Sequence, residues 1–337
     1  GSIYAETGTL NMADLAQRVM AIDPSETVGI RVAAVLLLLV FAIKAALVPL
    51  HFWLPSSYAE APAPVAALFA IMTKVGAYAI IRVYTMIFPP DLEVTAGLQS
   101  DWLLVAALVS LAVGAAGVLA AGKLDRLVTF SVIGSMGMVM VTISLFTPES
   151  TAAALYYMVH STFAAAALFL IVDMVKSSRA DLRLVAMPSI AGAVLVSALF
   201  FTAAIAMAGL PPLSGFLGKL LVLQASFPTD AVAWVFGVVL ISSLVNVVGF
   251  SRAGSIVFWK AKSVPREEGD VLLAPPSTLS YLAVGGLIGL LIMHTIFAGP
   301  IHSYMTTTSQ QLYAPEPYIS TVLETPGKLS KPKEGDH

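Results

Sequence analysis

Three lysines and a histidine sit where a hydrophobic chain has no ordinary use for them. Lys44 lies in VLLLLVFAIKAALVPL, Lys74 in VAALFAIMTKVGAYAII and His160 in ALYYMVHSTFAAAALFL, while Lys219 follows LPPLSGFLG. A charged group at the bilayer centre costs about 2.5–3.5 kcal/mol on insertion scales, so each is a functional-site candidate by default. A lysine taken out of water releases its proton far more readily than a solvated one. Histidine exchanges protons near neutrality unaided. Each of the four lies on a different predicted helix, so a packed bundle could align them into a lateral proton relay. With no cysteine and no acid at mid-span, they do not make a metal site, and no cofactor is called for. The plain alternatives are lysines snorkelling to the interface and an ordinary hydrogen-bonded role for His160. Asp173 reads as an interfacial acid pairing with Lys176 at i+3, and Arg82 as a cap at the outer end of its helix.

The elements that must position these groups follow from hydropathy. Of 337 residues, 58% are hydrophobic and 11% charged, and the mean hydropathy is +0.88. Average soluble domains carry about 25% charged residues, so this composition excludes a soluble or disordered chain. The net charge of −2 leaves no basic field for nucleic acid. Without cysteine there is no disulfide framework, thiolate nucleophile or cluster. The expected fold class is all-α, a polytopic membrane helix bundle. About 20 apolar residues span the hydrocarbon as helix. Eight stretches qualify: Val32–Val48, Val65–Phe88, Trp102–Ala121, Leu127–Phe146, Thr151–Val175, Ile190–Leu210 continuing to Leu223, Ala231–Phe250 and Tyr281–Phe297.

Two of the eight contain prolines. Pro49 and Pro55 interrupt the segment following Lys44, and Pro211–Pro212 with Gly215 and Gly218 interrupt the one carrying Lys219. Broken helices in corresponding parts of a chain point to an ion site built on an internal repeat. Gly114/Gly117 and Gly134/Gly137 are small-residue motifs that let helices approach closely. Ser131, Ser135, Thr142 and Ser144 could hold water, but packing is the simpler reading. Three alternate connections hold nine Lys/Arg: Lys123 and Arg126; Lys176, Arg179 and Arg183; Arg252, Lys260, Lys262 and Arg266. The intervening ones hold Arg82 and a set of acids, Asp91, Glu93, Asp101, Glu149 and Asp230. By the positive-inside rule the basic connections are cytoplasmic, and the polar tail from Ile301 lies outside, draped over a neighbour or disordered.

The run KAALVPLHFWLPSSYAEAPAPVAALFAIMTKVGAYAIIRVY (Lys44–Tyr84) is more specific than composition. It resembles the proton-translocating, antiporter-like membrane subunits shared by respiratory complex I and the Mrp-type cation/proton antiporters. TGTLNMADLA, TKVGAYAIIRV and GLPPLSGFLGKLLVL resemble the D-type membrane component of the Mrp antiporters, and the likeness runs to about Trp259. The resemblance implies that Lys44 is the lysine of the first broken helix and Lys74 the central lysine of the next. It places His160 at the family's histidine or lysine position and Lys219 at the terminal titratable residue of the second broken helix. Lysine rather than glutamate at that last position favours the Mrp type.

Such chains have about fourteen helices in two inverted five-helix repeats, and by that pattern this chain reads as roughly the last two-thirds of one. Residues 1–30 are then a loop with a short amphipathic piece, 31–88 the end of the first repeat, and 100–252 the second repeat. Residues 253–280 form a cytoplasmic loop, 281–299 a terminal helix and 300–337 the external tail. The helix bearing the glutamate that pairs with Lys44 in the family is not in the sequence. The implied function is that of a proton-translocating subunit of a multi-subunit Na+ or K+/H+ antiporter in the bacterial inner membrane, a transporter rather than an enzyme. Its implied partners are the other antiporter subunits and the lipid bilayer. The alternatives are a proton-pumping component of complex I or a membrane hydrogenase, or a structural fragment of such a complex.

Overall fold

Inside hydrocarbon the backbone has no water to bond, so an apolar chain closes its hydrogen bonds within helices. The structure, a computed structural model, describes residues 1–23, 27–95, 97, 100–179, 181–265 and 275–325. Among them the regular structure is helical, apart from one isolated antiparallel bridge between Lys123 and Arg183. The chain opens with α1 (Ser2–Thr7) and α2 (Met12–Met20), where the Asn11 side chain caps the first amides of α2. Then come α3 (Val28–Lys44), α4 (Trp53–Glu60), α5 (Ala63–Met86), α6 (Ser100–Ala120), α7 (Leu124–Ile143) and α8 (Pro148–Arg179). They are followed by α9 (Ala193–Ala208), α10 (Ser214–Ser226), α11 (Val232–Gly254), α12 (Thr278–Ile296), α13 (Ala298–Tyr313) and α14 (Glu316–Glu324).

Among the described residues six helices are long and apolar enough to cross a membrane: α5, 102–120 of α6, α7, α8, the stretch 232–263 beginning with α11, and α12. Eight continuous spans are therefore not what forms. The expected span Val32–Val48 is a 17-residue helix that stops at Lys44, and Ile190–Leu223 is divided into α9 and α10. Proline explains both. Pro49 lacks an N–H and bars Val48 from helical backbone angles. The chain instead turns through Ala46, at φ 53°, until α4 begins. Val48 N–H donates to Ser110 Oγ of α6 at 2.8 Å, and the Trp53 indole donates to the Ile43 carbonyl at 3.0 Å, so the break is tied down at both ends. Pro55 takes no part in it. Pro55 sits in the first turn of α4, where a missing N–H has no helical acceptor to disappoint.

The core is arranged around α7, buried along nearly its whole length between α6, α8 and α4. The glycine motifs act here. A Cβ on Gly114 of α6 would collide with the Gly134 backbone of α7, and one on Gly137 with the Leu111 backbone, so the two helices touch main chain to main chain. Ser131, Ser135, Thr142 and Ser144 each donate to a carbonyl three residues back, as packed helical hydroxyls do.

The basic connections gather at one end of the bundle. Leu124 N–H donates to Leu182 O, Leu184 N–H donates to Gly122 O, and the Arg252 guanidinium reaches from α11 to the Ala121 carbonyl at 2.6 Å. Arg179 donates to the carbonyls of Asp181, Arg183 and Val185, which folds the second basic connection around its own guanidinium. Residues 300–325, expected as a tail, are helical and dock on this chain. Ser309 Oγ donates to Pro148 O at 2.7 Å, the Tyr313 and Thr151 hydroxyls lie 3.1 Å apart, and Ile319 joins the apolar cluster of Leu15 and Val19. Arg82 lays its guanidinium over the Tyr318 ring at 4.5 Å. Asp173 and Lys176 do not pair; Asp173 is half-buried, without an ion partner among the described residues. Arg266, the Asp101 side chain and residues 326–337 lie outside the described residues.

Candidate functional site

The second break builds the site. α9 ends at Ala208, and Gly209 follows at φ +73°, the left-handed cap that glycine adopts without strain. Prolines 211 and 212 prevent the helix from resuming before Ser214. The last carbonyls of a helix lack helical donors and form the negative end of its dipole. Lys219, in the second turn of α10, fills that need: its ammonium donates to Ala208 O at 2.6 Å and to Ser243 Oγ of α11 at 2.7 Å. Gly209 also gives the lysine its room, since a Cβ there would stand 2.6 Å from Lys219 Cδ and Cε and 2.9 Å from Nζ. The side chain is buried, 7% exposed.

His160 stands mid-way along α8, fully buried. Its Nδ1 lies 2.9 Å from Ser214 Oγ, the first residue of α10, so the same break that places Lys219 also orients the imidazole. Nε2 has the Ala206 carbonyl at the end of α9 as its neighbouring acceptor, in a geometry too poor for a regular hydrogen bond. Gly215 leaves space for it: a Cβ there would be 2.7 Å from Nε2 and would strike the Ala206 carbonyl. Lys74 on α5 is 6% exposed, and its Nζ has no hydrogen-bond partner among the described residues. It borders an apolar cavity of about 380 Å3 lined by Ile71, Val75, Tyr78, Met158, Thr162 and Phe163. An ammonium there bears its desolvation cost without an acceptor.

α10 joins His160 and Lys219, through Ser214 and its own second turn, and Lys74 shares its cavity with Met158, Thr162 and Phe163 of α8, so three of the four expected residues lie on or against α8 and α10. Lys44 is not brought into it. It is the last residue of α3, with an exposed side chain. Its backbone does press on α5, because a Cβ on Gly76 would come within 2.9 Å of Lys44 C and Cβ. Sequence reasoning missed the residues that hold the site, Ser214 and Ser243. It also missed His294 of α12, which is buried against the Tyr156 ring at 4.3 Å between centroids. The available signal was a histidine inside the last apolar stretch, three residues from its end.

Buried lysines and a histidine around a helix break can pass protons, while among the described residues no group of His, Asp or Glu is arranged to hold a metal ion. Fold and site together define a polytopic membrane protein with titratable groups in its interior. Residues 2–245 match the family model described as NADH:quinone oxidoreductase/Mrp antiporter, transmembrane, and the chain belongs to that family. It is 33% identical to the D component of a probable K(+)/H(+) antiporter of Rhizobium meliloti (strain 1021), over 96% of this chain and 64% of that protein. It is 35% identical to the D component of the Na(+)/H(+) antiporter of Bacillus subtilis (strain 168), over the same shares. The chain thus spans about two-thirds of the length of the curated relatives it matches. Among solved structures, a chain of the Mrp complex from Dietzia sp. DQ12-45-1b superposes with a TM-score of 0.80 at 26% identity, over 95% of this chain and 66% of that one.

Proposed function

We propose that this chain is the proton-carrying part of a multi-subunit monovalent cation/proton antiporter of the bacterial plasma membrane. Protons pass among Lys74, His160 and Lys219 in the plane of the membrane, and the exchanged cation is Na+ or K+, as in the names of the antiporter relatives. Partner subunits of the same complex cover its exposed apolar faces together with lipid, and the basic end faces the cytoplasm. The observation that carries this reading is the Lys219 ammonium set in the gap between α9 and α10 on the Ala208 carbonyl, beside Gly209, whose missing side chain makes room for it. Lys44 gates entry to the row from its position at the first break.

The test is cation-driven proton movement in everted vesicles carrying the complete complex. K219A and K74A are expected to abolish exchange while the complex still assembles. Normal exchange in both variants would sink the relay. The family description also covers NADH:quinone oxidoreductase. A redox-driven role would show as proton movement on oxidising NADH with no added cation gradient.

A further inference from the structure

We propose that His294 is a further proton-carrying residue, and that a seam between α8, α10 and the α12–α13 corner links it to an aqueous mouth at Glu149 and His302. The inference rests on the relay reading above and extends it to the end of the bundle opposite the basic connections.

The seam is built by helical spacing. On α8, Glu149, Ala152, Ala153, Tyr156 and His160 recur every one to four residues along one face, and Glu149 to His160 spans about 16 Å at 1.5 Å per residue. Facing it on α10, Ser214, Gly218, Leu221 and Ala225 recur at the same period. Contacts join the two strips at three heights. Innermost, His160 meets Ser214. One turn out, the His294 ring packs at a tilt of 53° against Tyr156, and α10 comes within van der Waals range of the same ring, a Cβ on Gly218 lying 3.6 Å from it. Outermost, the strips part around a cavity of about 310 Å3 whose rim adds Gln224 of α10 with His302 and Thr306 of α13. Glu149 and Gln224 are exposed there, so polar groups meet water at the mouth.

Between mouth and relay, His294 is the titratable group in line. It is 4% exposed, and its Nε2 has no hydrogen-bond partner among the described residues. A buried polar nitrogen without a partner is rare enough to need an explanation, and a place on a path of waters that pass protons supplies one. A proton taken up from water at Glu149 or His302 passes to the His294 imidazole. From there it moves through water to His160 and on to Lys219, each donor recovering its lone pair.

The test uses the complete complex in everted vesicles, with K219A as reference. H294Q keeps the size and hydrogen-bonding capacity of the ring but carries no proton. It is expected to assemble and to lower exchange about tenfold or more, with H294K restoring at least part of it. A merely structural histidine would be rescued by glutamine and not by lysine. Exchange by assembled H294Q within about twofold of the parent at every pH tested would overturn the proposal. If H294Q fails to assemble, the mouth decides. These residues include no cysteine, so T306C can be labelled with a bulky, impermeant thiol reagent added to intact spheroplasts, where the mouth faces the medium, before the vesicles are everted, with the parent complex treated alike as control. Loss of exchange on labelling supports the path, and unchanged exchange after full labelling overturns it. Should K219A itself exchange normally, the relay reading fails, and not the assignment of His294 alone.

Discussion

Gly209 is the most informative position to perturb, because two independent demands fall on one hydrogen atom. Its φ of +73° is a region where any L side chain costs about 1–2 kcal/mol. An added Cβ would also lie 2.6–2.9 Å from the last three heavy atoms of Lys219. Those atoms are the flexible end of the side chain, so the lysine gives way rather than the backbone. Moving it breaks bonds of 2.6 and 2.7 Å to Ala208 O and Ser243 Oγ, each worth about 1.5–3 kcal/mol for a charged donor. Loss of one bond leaves Lys219 in place about ten- to a hundredfold less often. Exchange by G209A in everted vesicles is expected to fall by that factor, with native gel electrophoresis checking assembly. G209N separates the two demands, because asparagine tolerates the left-handed region but carries the same Cβ. It should assemble better than G209A and exchange no faster. G286A on α12, where a Cβ meets nothing within 4 Å, controls for the substitution itself. Full exchange by G209N would refute displacement of Lys219 as the cause, and full exchange by G209A would refute the whole argument.

Other positions read out separate links. S214A removes the hydroxyl at 2.9 Å from His160 Nδ1 and leaves that ring nitrogen unpartnered; exchange should drop about three- to tenfold, measured beside H160Q. Y318A removes the ring under Arg82, a contact worth about 0.5–2 kcal/mol. Limited proteolysis should then cut within 314–325 faster, while exchange stays at the parent rate. Asp181 is held below the usual carboxylate range by the Arg183 backbone N–H, then by its guanidinium. A depressed folded value means that its support of the loop is present at neutral pH and is lost as pH falls through that value. Protection of Leu184 N–H, which donates to Gly122 O, relative to its intrinsic exchange rate at each pH should fall on acidification in the parent and lose this pH dependence in D181N.

Hydropathy alone exposed Lys74, His160 and Lys219, because a titratable group in an apolar run stands out whatever the tertiary structure does around it. The serines that hold two of them did not stand out. Ser214 and Ser243 are ordinary in sequence, and their roles depend on which helix ends face each other. His294 escaped because a histidine near the end of a span looks interfacial until Tyr156 is found lying over it. The docking of α13 and α14 was illegible for a related reason. Their segments are polar enough to read as solvated, and what holds them is a few specific contacts to α8, α2 and Arg82.

The two breaks share a vocabulary of lysine, proline and interrupted helix, yet they are built in opposite order. At the first, Lys44 precedes the proline and ends its helix, and the Ile43 carbonyl beside it is taken by the Ala46 N–H and the Trp53 indole. At the second, Lys219 follows the prolines, points back across the gap and itself satisfies the Ala208 carbonyl. A lysine that supplies a helix end with its missing donor is fixed in place by the backbone, whereas one whose neighbouring carbonyl is already satisfied is free to turn toward another group. The same change therefore has different consequences at the two sites. W53F removes one of two donors from the Ile43 carbonyl without touching Lys44, and S243A removes one of two acceptors from Lys219. S243A should slow exchange with little effect on assembly, and W53F should lower the thermal midpoint of the complex. Equal loss of exchange in both variants would mean that the two breaks work alike, and that the order of lysine and proline carries no consequence.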